Sequence, residues 1–303
     1  MIKDRDLVKV FSTDTLIVRI RWFLSVLAET KSKATVDTYR RALGIFTLWI
    51  DEQGGTMELS QKNLEMFPVY LRTRRKVTVR TVYTYLTALR KFFAFLTKEG
   101  MLDNNLAKDL RIDEKPASKG REILTPDEVK RLVEISYEEN PIQIRDKAIL
   151  LCMLLEGLSE SDIERANFGD IENTITGKEL RIQTKSGPIA IPLDQRTFNA
   201  ISDYIKVRSW QLKPKDPLFV SHSPHKSNER MTRRNVRSRM RFILDHVKIT
   251  RVDVSPQSLC YTALYLLITN GTSKEDIRRR FRPFQLFHRI IALKEKGLID
   301  EDY

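Results

Sequence analysis

The sequence predicts a mainly α-helical protein of two domains, the second carrying a small β-sheet. Three observations lead there. Apolar residues recur at helical spacing through the first third of the chain. A polar, turn-rich stretch at 113–121 then interrupts that pattern. Beyond it, two short β-prone runs flank Thr184-Lys185-Ser186-Gly187 within an otherwise helical remainder. The organisation expected is a helical bundle over 1–112, a linker over 113–121 and an α-rich domain over 122–303.

Taken in order, Leu16, Ile20, Phe23, Leu24 and Leu27 form the apolar stripe of a first helix. A second follows Lys31-Ser-Lys-Ala, carries Val36, Tyr39, Leu43, Phe46 and Ile50, and stops at Gly54-Gly55. A third, shorter helix runs through Leu64, Phe67, Tyr70 and Leu71 behind the cap-like Ser60, with Pro68 expected to kink or divide it. The fourth opens near Thr78, buries Val82, Leu86, Leu89, Phe93 and Leu96, and ends at Gly100. After the linker, Thr125-Pro-Asp-Glu gives an N-cap, a proline at the first helical position and acids in the first turn. An apolar helix from Asp146 to Glu156 and a hairpin of Glu179–Gln183 with Pro188–Pro192 come next. No internal repeat or low-complexity segment is present.

The bulk numbers narrow the function classes. No apolar run approaches the roughly 20 residues that span a bilayer, and the N-terminus mixes charges, so a cytoplasmic protein without membrane contact is expected. Two cysteines, Cys152 and Cys260, are too few for a disulfide framework or thiolate metal cage. The four histidines form no helical pair with a carboxylate, so neither a metal nor a cofactor is expected. The net charge of +13 on 303 residues favours a polyanionic partner, with nucleic acid the usual one.

Several stretches carry a resemblance. Ala34-Thr-Val-Asp-Thr-Tyr39, Thr81–Leu96, Glu99-Gly100 and Asn104–Ala107 resemble the core-binding domain of the tyrosine recombinases, the phage integrases and Xer-type enzymes. Leu124–Val129 and Ile144–Leu158 resemble the start of their catalytic domain, so that nearly the whole chain is covered. The resemblance implies that family's two-domain fold. It also implies a tyrosine hydroxyl that attacks a DNA phosphate, with two arginines, a lysine and histidines meeting the charge on the phosphoryl oxygens.

Position by position, the family's chemistry is largely replaced. Ser159 follows Gly157-Leu158 where the first arginine is expected, and Lys185 matches the lysine. After Ser255-Pro256, Gln257 stands for histidine and Cys260 for the second arginine. Counting onward from Asn270-Gly271, the second histidine falls on Pro283 and the nucleophile on Ala292. Tyr261 and Tyr265 lie among apolar neighbours, and Tyr303 lies beside three acids. No catalytic residue is assigned on this reading.

Basic groups are retained. In the first domain the candidate DNA contacts are Lys31, Lys33, Thr35 and Arg40, then Arg72, Arg74, Arg75, Lys76 and Arg80, with Tyr83 and Lys91 further on. In the second they are Lys185, Lys226, Arg230, Arg233, Arg234, Asn235 and Arg237, with Thr232 as the N-cap of a helix. Two basic domains on a flexible linker would clamp duplex DNA, phosphates supplying affinity and helix-start side chains reading bases. The segment Arg278–Leu293 is basic and then amphipathic, which fits self-association into a dimer or higher oligomer and fits intramolecular packing equally.

The expectation is therefore a sequence-specific, double-stranded DNA-binding protein without recombinase activity, a transcriptional regulator or repressor of a temperate phage or mobile element working at the nucleoid. The alternatives are a divergent active site-specific recombinase and an accessory subunit of an active one.

Overall fold

The computed structural model describes residues 10–58, 60–114, 122–135, 140–175, 177–184, 187–208, 211–225, 227–281 and 283–300. The chain divides into two compact units, Met1–Ser118 and Lys119–Tyr303.

The first unit is helical. Its elements are β1 (Val10–Ser12), α1 (Thr13–Thr30), α2 (Lys33–Asp51), β2 (Thr56–Glu58), α3 (Gln61–Leu64), α4 (Met66–Thr73) and α5 (Val79–Lys98). Hydroxyl caps start four of the five helices. Ser12, Ser32, Ser60 and Thr78 each accept a hydrogen bond from the backbone N–H three residues on. Pro68 does not break the third helical segment. The break falls at Glu65, and Pro68 sits at the third position of α4, where a helix has no N–H partner to lose. β1 and β2 pair antiparallel, Val10 opposite Glu58 and Ser12 opposite Thr56. Three residues each are too short to show a period in the sequence.

Aromatic rings fill this core. The Phe46 ring meets Phe67 edge-on at 5.2 Å and Phe93 at 6.1 Å, and Phe23 meets Phe92 at 5.6 Å. Phe46, Phe67, Phe92 and Phe93 are fully buried.

The second unit contains α6 (Pro126–Val133), α7 (Pro141–Leu154), α8 (Glu160–Arg165), β3 (Ile171–Thr174), β4 (Gly177–Thr184), β5 (Gly187–Pro192), α9 (Gln195–Lys206), α10 (Arg233–His246), α11 (Pro256–Thr269), α12 (Lys274–Arg280) and α13 (Pro283–Lys294). Thr125 and Glu128 form a reciprocal capping box at the start of α6. α7 begins five residues earlier than its apolar run suggests, because Asn140 caps it and Pro141 takes the first helical position. From Ala148 to Leu154 every side chain of α7 is buried, so no amphipathic period survives. The sheet is antiparallel in the order β3-β4-β5 and turns Leu180, Ile182 and Ile191 into the core.

Charge is also buried here. Arg145 donates to Asp146 Oδ1 from Nε at 3.0 Å and Nη2 at 2.6 Å, and to the Val220 carbonyl from Nη1 at 3.0 Å. Arg239 of α10 donates to the other Asp146 oxygen at 2.6 Å. The pair is tolerated because its donors and acceptors are met by fixed partners.

The C-terminal segment packs within its own unit. Leu286 and Leu293 of α13 join Leu264, Ile277 and Phe281 in a small separate core. This is the intramolecular packing expected for the segment.

Truncating the central ring, Phe46→Ala, should lower stability by about 3–5 kcal/mol. Gly44→Ala, on the exposed face of the same helix with open space around its Cβ, should raise it by roughly 0.5–1 kcal/mol. Denaturant midpoints of the two variants, moving in opposite directions, check the assignment of inner and outer faces.

Candidate nucleic-acid interface

The turn between α7 and α8 brings together two of the residues that the sequence singles out, Ser159 and Cys260. Gly157 ends α7 in the left-handed conformation at φ +70°, and Leu158 N–H bonds back to the Cys152 carbonyl at 3.1 Å. Ser159 then caps α8. Its N–H donates to Asp162 Oδ2 at 2.9 Å and its hydroxyl to the same oxygen at 2.5 Å. Ser159 thus starts a short helix where the resemblance places an arginine.

Cys260 approaches from α11 and donates from Sγ to the Leu158 carbonyl at 3.0 Å. Burial pushes its thiol up to about 12, Arg289 opposing and Glu160 and Asp162 reinforcing the rise. Gln257 lies exposed on the first turn of α11. Tyr261 is buried beside Cys260, and Tyr265 packs half-buried in the small C-terminal core. Pro283 begins α13, its side chain outside the described residues, and Ala292 is half-buried near the end of that helix. Lys185, Lys226 and Tyr303 lie outside the described residues.

One cation at this turn is not visible from the sequence. Arg289 reaches back from α13 and donates from Nη1 to the Gly157 carbonyl at 3.0 Å. Its guanidinium carbon lies 5.0 Å from the Phe281 ring centre and 5.9 Å from that of Tyr261. Just before the turn, Glu156 accepts from the Asp194 N–H at 2.8 Å, with Arg280 Nη1 3.4 Å from its other oxygen. Burial raises its carboxyl above the ordinary value, and these partners act against the rise.

The candidate DNA contacts fall into two groups. In the first unit Lys31, Lys33, Arg74, Arg75, Lys76, Arg80 and Lys91 are exposed, and Thr35 and Tyr83 are half-buried. Thr35 shares the Ser32 cap, its hydroxyl 3.0 Å from that of Ser32. Arg40 is exposed and pairs with Asp37. Arg72 is exposed and bonded to its own chain, donating to the Val77 carbonyl at 2.8 Å and to Glu114 at 3.0 Å.

In the second unit Arg234 and Asn235 are exposed on the first turn of α10, capped by Thr232. Arg233 pairs with Glu164 at 3.1 Å and Arg237 with Glu160 at 3.0 Å. Arg230 is committed to the fold. It donates to the carbonyls of Glu164 and Ala166 at 2.8 and 3.0 Å and to Asn167 Oδ1 at 2.6 Å. Glu160, Glu164 and Arg289 are the site residues that the sequence does not announce. Their partners lie 69 to 132 positions away.

Among the described residues no group of three or more His, Cys, Asp or Glu side chains could hold a metal. No described helix is long and apolar enough to cross a membrane.

Residues 122–281 match the model of the phage integrase family. The chain belongs to that family, the tyrosine recombinases. Residues 20–100 match the family's N-terminal SAM-like domain. Tyrosine recombinase XerC of Psychromonas ingrahamii is 28% identical over 215 residues, 69% of this chain and 68% of the relative. XerC of a Roseiflexus species is 28% identical over 216 residues, 67% of each chain.

The integrase fold recurs in solved structures. XerH recombinase in a post-cleavage complex with a palindromic difH substrate superposes with a TM-score of 0.74 at 13% identity, over 94% of this chain and 93% of that one. The Tn1549 transposon integrase with transposon right-end DNA gives 0.70 at 13% identity, over 93% and 94%. The two-domain recombinase fold expected from the sequence is therefore the fold of this chain.

These relatives correct one expectation. The chain is not to be read as a non-enzymatic repressor or regulator, because the proteins it matches over two thirds of their length are named recombinases. The contrary reading counted the arginine positions one at a time. Arg289, 132 positions on, does bring a guanidinium to the same turn, where it is 5% exposed and bonded to the Gly157 carbonyl.

Two outcomes test the turn. A Cβ on Gly157 would lie 2.4 Å from Phe281 Cε1 in a left-handed backbone, so Gly157→Ala should cost at least about 2 kcal/mol in denaturant unfolding. Cys152 and Cys260 are both buried, with their thiols held up by burial. Neither should react with a thiol reagent at pH 8 in the native protein, whereas both should react once it is unfolded.

Proposed function

We propose that this chain is a divergent site-specific DNA recombinase, which binds duplex DNA and carries out strand cleavage and exchange. The observation that carries the reading is the family match over 122–281, together with relatives named for recombination that span both units. The charge of +13 and the exposed cations of both units supply the attraction to phosphate. Its substrate is DNA, which puts its work in the cytoplasm at the nucleoid. Two half-sites would be engaged by a dimer or a higher oligomer.

The chemistry is constrained by what surrounds the turn. With Ser159, Gln257, Cys260, Pro283 and Ala292 at the family positions, the charge on the phosphoryl oxygens has to be met by other donors. This reading assigns that role to Lys185, which matches the family's lysine in the sequence, while Arg289, 5% exposed and bonded to the Gly157 carbonyl, holds the turn from within the core.

A nicked duplex that traps cleaved intermediates tests the proposal. Target sites recovered by footprinting, placed in such a duplex, should yield a protein–DNA adduct that survives detergent. Mass spectrometry of the linked peptide then identifies the nucleophile, and Lys185→Ala should lower the yield by about 10²-fold or more. Tight, specific binding with no adduct on any recovered site would overturn the enzymatic reading and leave that of an accessory partner.

A further inference from the structure

Arg233 and Arg237 stand one helical turn apart at the start of α10, each more than half exposed at 52% and 58%. Both are gripped at the same atom. Arg233 Nε lies 3.1 Å from Glu164 Oε2, and Arg237 Nε donates to Glu160 Oε1 at 3.0 Å. The two glutamates are themselves one turn apart on α8. Glu164 Oε1 also accepts the backbone N–H of Arg233 at 3.1 Å, which fixes the carboxylate against the start of α10.

A guanidinium held through Nε turns the edge formed by its two Nη groups away from the carboxylate. That edge matches the O6 and N7 acceptors of guanine in the major groove, the commonest specific contact between protein and DNA. Simple charge balance is the competing explanation, since exposed ion pairs contribute little to stability. Two features oppose it. The Glu160 side chain is only 8% exposed, a costly place for a carboxylate unless it has a defined partner. Two carboxylates on a surface meant for phosphate also weaken non-specific attraction, which makes sense where the arginines read bases.

We infer that Glu160 and Glu164 are positioning residues that present Arg237 and Arg233 to two guanines of the recombination site. The inference rests on the DNA-binding part of the proposed function. Four residues of helix rise about 6 Å. At about 3.4 Å per base step this places the two guanines roughly two steps apart.

The test begins with selection of the full-length chain on a random duplex pool, followed by anisotropy titrations on the selected duplex. The enriched motif should contain two guanines about two positions apart. Replacing either with 7-deazaguanine, which lacks the N7 acceptor, should weaken binding about tenfold. Arg233→Lys and Arg237→Lys should each erase the preference at one guanine and weaken binding to the selected duplex about tenfold. Glu164→Gln and Glu160→Gln should flatten the preference at the matching guanine and strengthen binding to unselected duplex.

If the glutamine variants instead raise affinity for every duplex by one factor and keep the guanine preference, the glutamates only balance charge and the inference falls. A motif without paired guanines overturns it as well, even where Glu160→Gln fails to fold. Failure of the wild-type chain to retain any duplex would remove the DNA-binding reading along with it. Retention without guanine preference would remove the inference alone.

Discussion

The turn from Gly157 to Ser159 is the constraint on which the second unit depends. Four separate parts of the chain meet there. α7 ends at a left-handed glycine, Arg289 of α13 holds the Gly157 carbonyl, and Cys260 of α11 holds the Leu158 carbonyl. Asp162 holds Ser159 at the head of α8. Because α8 is set by this cap, its two glutamates arrive at the arginines of α10. A displacement at Gly157 would therefore pass directly into the exposed start of α10.

Buried charge fixes α10 from the other side. Asp146 sits in the middle of the core between Arg145 and Arg239, and α10 contributes the second of these. The helix that carries the candidate base-reading residues is thus tied to α7 by an ion pair and to α8 by two. Side chains locked by such partners hold a recognition geometry more closely than free surface arginines can.

Much of this was legible in the sequence, for physical reasons. Helix starts were legible wherever a hydroxyl or Pro signal is local, as at Ser60, Thr78, Thr125 and Thr232. The α7 start was missed although Asn140-Pro141 carries the same kind of signal, because the apolar run begins later. The Pro68 expectation failed because proline breaks a helix only where an N–H is needed. β1 and β2 were illegible, since three residues show no alternation and their pairing spans more than 40 positions.

The site was legible as a set of positions but not as a set of interactions. Ser159, Gln257 and Cys260 could be named from Gly157-Leu158 and Ser255-Pro256, yet nothing local shows Cys260 bonded to Leu158 or Arg289 bonded to Gly157. The reading of a non-enzyme rested on those positions alone, and the relatives named as recombinases overturn it. The most direct measurement is deep sequencing of DNA junctions in cells that express the chain beside a pair of its recovered target sites. The account predicts reciprocal junctions joined within those sites, absent without the protein. Sites that stay occupied by the protein and yet yield no new junction would contradict it.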